Sequence, residues 1–433
     1  MAGLGASNIG SSGFTIDLGE LNHVQMSEGR DVVSAASGAR WTDVYNMLSP
    51  YNLTVVGGRS AGVGVGGFLT HVSLLLYKKM TSLIFSQGGI SFLSHEHGFG
   101  SDNIVAYEVV LSDGSIVNAS PSERSDLYWA LKLGSTNYGI ITRFDLTTFP
   151  TTPTLWGGSM FFDINLGPSL LEHLADFTAR LGDDPVAMSV VSIAYDPAQK
   201  QYMIWAPNMH FGPVEYPPLL SGMRSFEPFH SSMKVRTLVN MVEEVFDSAP
   251  GNGRAQWFTF TFKVDTKLPW DIYLKGKEIF APILEDRPGA MWAIVVQPIT
   301  SAMVKAGSGR NGGNPSGISE HDGNLFCENF EVLFIFALIH LFTLTVFHCA
   351  TFWTDAKDDS NMKQGSAELQ SWVETTARER QLLHPFIYMN YALAGQKVYE
   401  GVGADNLQKM KATKLKYDPD NVFGRLWRGG FKL

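Results

Sequence analysis

Between Gly57 and Gly67 the chain reads Gly-Gly-Arg-Ser-Ala-Gly-Val-Gly-Val-Gly-Gly, with glycine at more than half the positions. The backbone there can take φ > 0 and approach a ligand unshielded by side chains. Its successive N–H groups could form a nest for an anion or a ring edge, and the plainer alternative is a glycine-rich surface loop. The familiar phosphate loops are excluded. No G-x-G-x-x-G opens a helix with an acidic residue in the expected place downstream, and no Walker lysine is followed by Ser or Thr.

A chain of 433 residues exceeds one ordinary core, so two lobes are expected. Hydrophobic residues make up 45% and charged residues 17%, which suits a globular protein with a large core rather than a disordered one. The formal net charge of -9 disfavours a nucleic-acid partner and favours a small-molecule substrate. Cys327 and Cys349 form neither a disulfide framework nor a metal-ligand spacing. The start, Met1-Ala-Gly-Leu-Gly-Ala-Ser-Asn8, lacks the charged and apolar regions of a secretory signal. Either the protein is intracellular or its true start lies upstream, and localisation stays open. Asn52-Leu-Thr54 and Asn118-Ala-Ser120 are sequons that matter only in a secreted chain.

Periodicity predicts an α+β protein. A helix is expected at Trp41–Leu48, then a hairpin from Ile104–Leu111 through the Asp113-Gly114 turn into Ser115–Ala119. A short helix over Asp126–Gly134 and a strand over Ile140–Leu146 follow, and Phe149-Pro150 closes the first lobe. The second lobe is expected to carry strands near Met188–Ala194, Gln201–Ala206, Trp257–Val264 and Met291–Gln297. Helices are expected near Ser169–Leu181, Met233–Phe246, Glu368–Glu379 and Asn406–Lys416.

Taken in order, Thr15–Asn22, Val55–Thr70, Gly98-Phe-Gly-Ser-Asp-Asn103, Asp126–Phe149, Gly312-Gly-Asn-Pro315 and Lys416–Phe423 resemble the berberine-bridge-enzyme-like, FAD-linked oxidases of fungal type. These belong to the vanillyl-alcohol oxidase and p-cresol methylhydroxylase superfamily. The resemblance implies a two-lobed α+β fold: an FAD-binding lobe over residues 1–150, a substrate domain over 151–385, and a segment over 386–433 that returns to the FAD lobe. It implies that FAD is lined by Gly57, Gly58, Arg59, Ser60, Gly62, Val63, Gly64, Gly66 and Gly67, with backbone contacts from Gly139, Ile140 and Ile141. Ser60 stands where some relatives carry a flavin-linking cysteine, so that thioether cannot form. Leu133 replaces a glycine usual in the family. Tyr388 and Asn390 match the family's Tyr-x-Asn motif, expected on a strand whose alternation turns both toward substrate and flavin. There Tyr388 would be the general base, and the alternative is an ordinary strand tyrosine packed between lobes. His95-Glu-His97 lacks a third ligand, so no metal is expected and the triplet is read as a loop near the cofactor.

The sequence departs from the family in three places. The segment with the usual flavin-bonding histidine would precede Met1, so any FAD is expected to be noncovalent. Val72–Gln87 interrupts the family's Phe-Leu-Thr-x-Gly-Gly run and reads either as a retained intron or as an apolar helical insertion. Leu333–Ala350 has no Asp, Glu, Lys or Arg. It reads as a membrane span, a second read-through, or a buried core element. The leading expectation is an FAD-dependent oxidoreductase taking hydride from an alcohol, sugar or secondary metabolite. The alternatives are an inactive remnant without flavin and a membrane-anchored non-enzymatic protein.

Overall fold

The computed structural model describes residues 13–70, 89–247, 254–285, 287, 290–324, 344–353, 355–427 and 429–433. The insertion at Val72–Gln87 and residues 333–343 of the later apolar run lie outside these.

The first lobe is built on β1 (Val24–Met26), β2 (Val32–Ala36), α1 (Trp41–Leu48), β3 (Leu53–Thr54), α2 (Val65–Thr70), α3 (Ser94–His97), β4 (Ile104–Val110), β5 (Ile116–Ala119), α4 (Ser125–Leu131), β6 (Ile140–Thr147) and β7 (Phe149–Pro150). Its sheet runs β1-β2-β6-β4-β5, antiparallel throughout. α1 forms where expected because Trp41, Val44, Tyr45 and Leu48 recur at helical spacing and all four are buried. Asp43 accepts from the Arg40 N–H at 2.9 Å and so holds the helix start. The β4–β5 turn uses Gly114 at φ +84°, as the Asp-Gly pair predicts.

The second lobe continues with β8 (Leu155–Asp163), α5 (Gly167–Arg180), β9 (Ala187–Ser189), β10 (Val191–Asp196), β11 (Gln201–His210), β12 (His230–Ser231), β13 (Lys234–Arg236), α6 (Leu238–Asp247), β14 (Arg254–Lys263), α7 (Leu268–Leu284), β15 (Met291–Ile299), α8 (Ser301–Ser308), β16 (Leu344–Trp353), α9 (Asp359–Glu379) and β17 (Leu383–His384). The larger sheet has the order β12-β8-β11-β10-β15-β16-β14-β17, with β13 beside β8 and β9 beside β11. Strand alternation decides which side faces what. In β14, Phe258, Phe260 and Phe262 join the core beneath α5, α7 and α9. Trp257, one residue out of phase, joins the core shared with the first lobe. β15 divides likewise, with Trp292, Ile294 and Val296 on the helix side and Val295 and Ile299 on the junction side.

After the second lobe, α10 (Ala404–Tyr417) and α11 (Val422–Leu426) lead the chain back to the first. Tyr138 donates to the Met410 carbonyl at 3.2 Å, and Asn137 donates to the Phe431 carbonyl at 2.9 Å. Lys432 reaches the Thr136 hydroxyl and the Phe423 carbonyl.

Residues 344–350 of the apolar run form most of β16, an interior strand between β14 and β15. That part is a core element rather than part of a membrane helix, since both its edges are taken by ladder hydrogen bonds. Among the described residues no helix is long and apolar enough to cross a membrane. The helix expected at Met233–Phe246 is instead a short strand, β13, followed by α6. The helix expected from Glu368 begins nine residues earlier, at Asp359.

Candidate flavin and substrate site

The glycine-rich segment leaves β3, passes α1 and enters α2, so part of it is helix rather than loop. Its glycines do different things. A Cβ on Gly57 would lie 2.5 Å from the Trp41 ring and one on Gly58 2.3 Å from it. Packing against that buried indole accounts for both without a ligand. The Gly62 carbonyl accepts from Arg40, and the Val63 carbonyl accepts from the Trp41 N–H at 3.0 Å. Gly67 is buried in α2.

Gly64 and Gly66 are only half-buried. Gly66 lies against the Ser37 carbonyl, whose residue's hydroxyl donates to the Ile141 carbonyl. Gly66 and Ile141 therefore meet across Ser37, and Ile140 and Thr142 are half-buried beside them. Gly139 is tied to β4, where a Cβ would strike Val109 at 2.5 Å.

Ser60 is fully buried and its hydroxyl has no hydrogen-bond partner among the described residues. A buried hydroxyl left so costs free energy. An orphaned buried hydroxyl four residues before the half-buried backbone of Gly64 and Gly66 is compatible with a polar cofactor such as FAD at this segment.

Arg59 turns the other way, into the junction between lobes. Its side chain is buried, and Nη2 donates to Gln297 Oε1 on β15 at 2.8 Å. The same charge acts on His95 and Tyr388. The hydroxyl of Tyr388 accepts from the Ile90 N–H at 3.2 Å. Burial raises its pKa, with the neighbouring Tyr391 adding to the effect, while Arg59 and the Ile90 N–H oppose it. His95 shares a 3.4 Å hydrogen bond with the Thr300 hydroxyl, which also caps α8. Burial first, then Arg59, pulls its pKa down to about 3, so the ring is neutral.

Tyr388 and Asn390 are not on a strand. β17 ends at His384, because Pro385 has no N–H to continue the ladder beside β14. Tyr388 instead precedes a 3₁₀ turn over Met389–Tyr391, closed by the Tyr391 N–H on the Tyr388 carbonyl at 3.2 Å. Both side chains are buried, held by the turn rather than by strand alternation. His95–His97 likewise forms a helical turn, not a loop.

Gln396, which carried no sequence signal, fastens this turn to the large sheet. Its amide donates to the Thr259 carbonyl at 2.8 Å and accepts from the Thr259 N–H at 3.2 Å, as a neighbouring strand would. The Tyr388 and Tyr391 rings meet edge to face at 5.2 Å, and Tyr391 stacks on Trp257 at 5.7 Å. Gln297 and Thr300 also escaped sequence reasoning. Their partners Arg59 and His95 lie more than 200 residues away, so no local pattern could have found them.

Among the described residues no group of three or more His, Cys, Asp or Glu could hold a metal ion. No family model matches the chain. Curated relatives do. The FAD-dependent monooxygenase drtC of Aspergillus calidoustus is 31% identical over 437 residues, covering 99% of this chain and 75% of the relative. The chain belongs to the family of these fungal FAD-dependent oxidoreductases. Within that family, the FAD-dependent monooxygenase tpcD of Cochliobolus heterostrophus is 30% identical over 453 residues, covering 99% of this chain and 77% of its own. The fold is that of 6-hydroxy-D-nicotine oxidase from Arthrobacter nicotinovorans, with a TM-score of 0.68 at 16% identity over 93% of this chain and 79% of that one. Berberine bridge enzyme from Eschscholzia californica gives a TM-score of 0.62 at 14% identity, over 94% and 79% respectively.

Proposed function

We propose that this flavin-dependent oxidoreductase oxidises a small organic substrate at the junction of its two sheets, with Tyr388 taking the substrate's proton. The observation that carries the reading is the buried Tyr388 hydroxyl under the influence of Arg59, with the Ile90 N–H donating to its oxygen. A phenol keeps its proton to a pH of about 10 in water. It becomes a useful base only where positive charge and a donor stabilise the phenolate. Arg59 and the Ile90 N–H supply one each, against a burial that outweighs them in this structure and holds the phenol above its ordinary pKa. His95 is neutral, so it adds no competing charge beside Arg59 and keeps Thr300 in place.

FAD, when bound, supplies the ring that accepts the hydride from the substrate carbon. Ser60, Gly64, Gly66 and Ile141 would hold it by backbone and hydroxyl contacts. Serine at position 60 forms no thioether, which supports noncovalent attachment there. Residues 1–150 together with 386–433 form the cofactor side of this arrangement and 151–385 the substrate side. The docking of Asn137 and Thr136 on Phe431 and Lys432 supports that division.

The test is Tyr388→Phe in the FAD-loaded protein, mixed anaerobically with a panel of benzylic and allylic alcohols while the yellow flavin band is followed. Flavin content should stay the same, and flavin reduction should slow by about 10²–10⁴-fold. An unchanged rate would return Tyr388 to a packing role, and a protein that stays colourless with added FAD would overturn the whole reading.

A further inference from the structure

The segment that carries Tyr388 leaves the large sheet at His384, and that histidine fastens the departing chain. On β17 it pairs with Thr261 of β14, and Pro385 then ends the ladder. The first N–H beyond the proline, that of Phe386, donates to His384 Nδ1 at 3.2 Å. A backbone N–H only donates, so this nitrogen carries no proton and the ring's one hydrogen sits on Nε2. Nε2 in turn faces Asp322 Oδ2 at 3.5 Å, on a 3₁₀ turn over Glu320–Asn324. That oxygen also accepts from the Ser319 N–H at 2.7 Å, which holds the carboxylate in place. The neutral ring thus joins two segments, and only one of its tautomers can do so. Phe386 and Tyr388 are both buried, with their rings 6.2 Å apart. A single residue separates the fastened N–H from the phenol.

Resting on the reading of Tyr388 as the base, we propose that His384 is a positioning residue that holds the Tyr388 turn only while its ring is neutral. A second proton puts a hydrogen on Nδ1, which then meets the Phe386 N–H as donor against donor. The Nε2 hydrogen still faces Asp322, so the new charge has a partner while the fastening on Phe386 is lost. Two charged groups act on the ring, Asp322 from the 3₁₀ turn and Lys263 from β14. Burial is the largest influence and lowers the pKa of His384; Asp322 opposes it, Lys263 adds to it, and the net position lies below 6.5. The hold is therefore complete above pH 6.5 and weakens as the pH falls, because the released segment binds the proton more tightly than the fastened one. Flavin reduction should accordingly slow on the acid side, through a titration separate from that of Tyr388.

The experiment compares wild type with His384→Asn and His384→Leu, all loaded with FAD. Asparagine does not titrate, and its side-chain carbonyl can accept from the N–H two residues on, as in an Asx turn. Leucine offers no acceptor. Hydrogen exchange at the Phe386 amide, read by NMR and corrected for its intrinsic rate, follows the fastening without turnover. From about pH 8 to about pH 5 its protection should fall about tenfold or more in wild type and less than about threefold in His384→Asn. In His384→Leu it should be lower than wild type by about tenfold already at about pH 8. If His384→Leu does not fold, His384→Asn alone decides. Anaerobic flavin reduction is then measured with the alcohol of the panel that reduces wild type fastest. The ratio of the His384→Asn rate to the wild-type rate cancels every titration the two proteins share, those of His95 and Tyr388 included. It should rise about tenfold or more between about pH 8 and about pH 5. A constant ratio, or Phe386 protection that falls alike in both proteins, overturns the proposal. The two readings fail separately. Protection lost only in wild type, with an unaffected Tyr388→Phe rate, upholds the hold of His384 and removes the base. A slowed Tyr388→Phe with a constant ratio does the reverse.

Discussion

Acidification should loosen this protein through His95, and the size of the effect follows from its surroundings. Burial, and secondly the charge of Arg59, lower its pKa to about 3 in the folded chain, against 6.5 for the exposed ring. A histidine whose folded pKa is depressed leaves stability intact above the unfolded value. Stability is then lost as the pH falls from 6.5 toward 3, because only the unfolded chain takes up the proton. Between pH 7 and pH 5, integrating that difference gives a loss of about 2 kcal/mol from this one site. The assay is urea unfolding followed by tryptophan fluorescence at both pH values, on wild type and on His95→Gln. Glutamine can still bond to Thr300 but cannot titrate. The variant should lose about 2 kcal/mol less than wild type over that interval. His97, also lowered to about 4 by burial and then by Arg310, titrates in the same sense in both proteins and cancels from the comparison. Equal losses in the two proteins would refute the argument, as would a wild type more stable at pH 5 than at pH 7.

Two further predictions concern packing, one within the first lobe and one between the lobes. Gly58→Ala forces a methyl to within 2.3 Å of Trp41 and should cost about 1–3 kcal/mol in a urea melt; unchanged stability would mean that the indole moves aside freely. Lys132 is buried, donates to the Asn311 and Gly313 carbonyls at 2.8 and 2.7 Å, and is the main charge offsetting the burial of Asp102. Lys132→Met should destabilise by about 3–5 kcal/mol, because it strands both carbonyls and the carboxyl. A loss below about 1 kcal/mol in the same melt would show that water or a rearrangement replaces the amine.

The parts of the fold that could be read from sequence are those whose cause is local. The helix at Trp41–Leu48 and the Asp113-Gly114 hairpin follow from spacing and turn chemistry, and the alternation over Trp257–Phe262 marks a strand with two different faces. α7 was missed because Pro269 and Pro282 resemble breakers. Pro269 lies in the first turn, where its lack of an N–H costs nothing, and Pro282 falls in the last turn. β8 was missed because Gly157 and Gly158 interrupt its apolar run. Gly158 is needed there, since its φ is +158° and a Cβ would meet the Ser232 backbone at 2.7 Å. In the candidate site the motif residue Tyr388 was legible, but its setting was not. Pro385 replaces the expected strand by a turn, and the Arg59–Gln297 and His95–Thr300 pairs are joined only by the tertiary fold. Gly57 and Gly58 looked like cofactor glycines, yet the indole of Trp41 is sufficient reason for both.

The return of the chain to its first lobe also bears on how the protein is made. Ser135, Thr136 and Asn137 bond to residues synthesised almost 300 positions later, among them Phe431, Lys432 and Leu433. Contacts so distant in sequence close slowly, because loop entropy is lost before any of them forms. On a ribosome the first sheet can assemble early, but the loop that opens β6 waits until the whole second lobe has been extruded. That loop leads directly into β6, so the first lobe is completed late, and a nascent chain stalled before α10 would present an unfinished first lobe to chaperones.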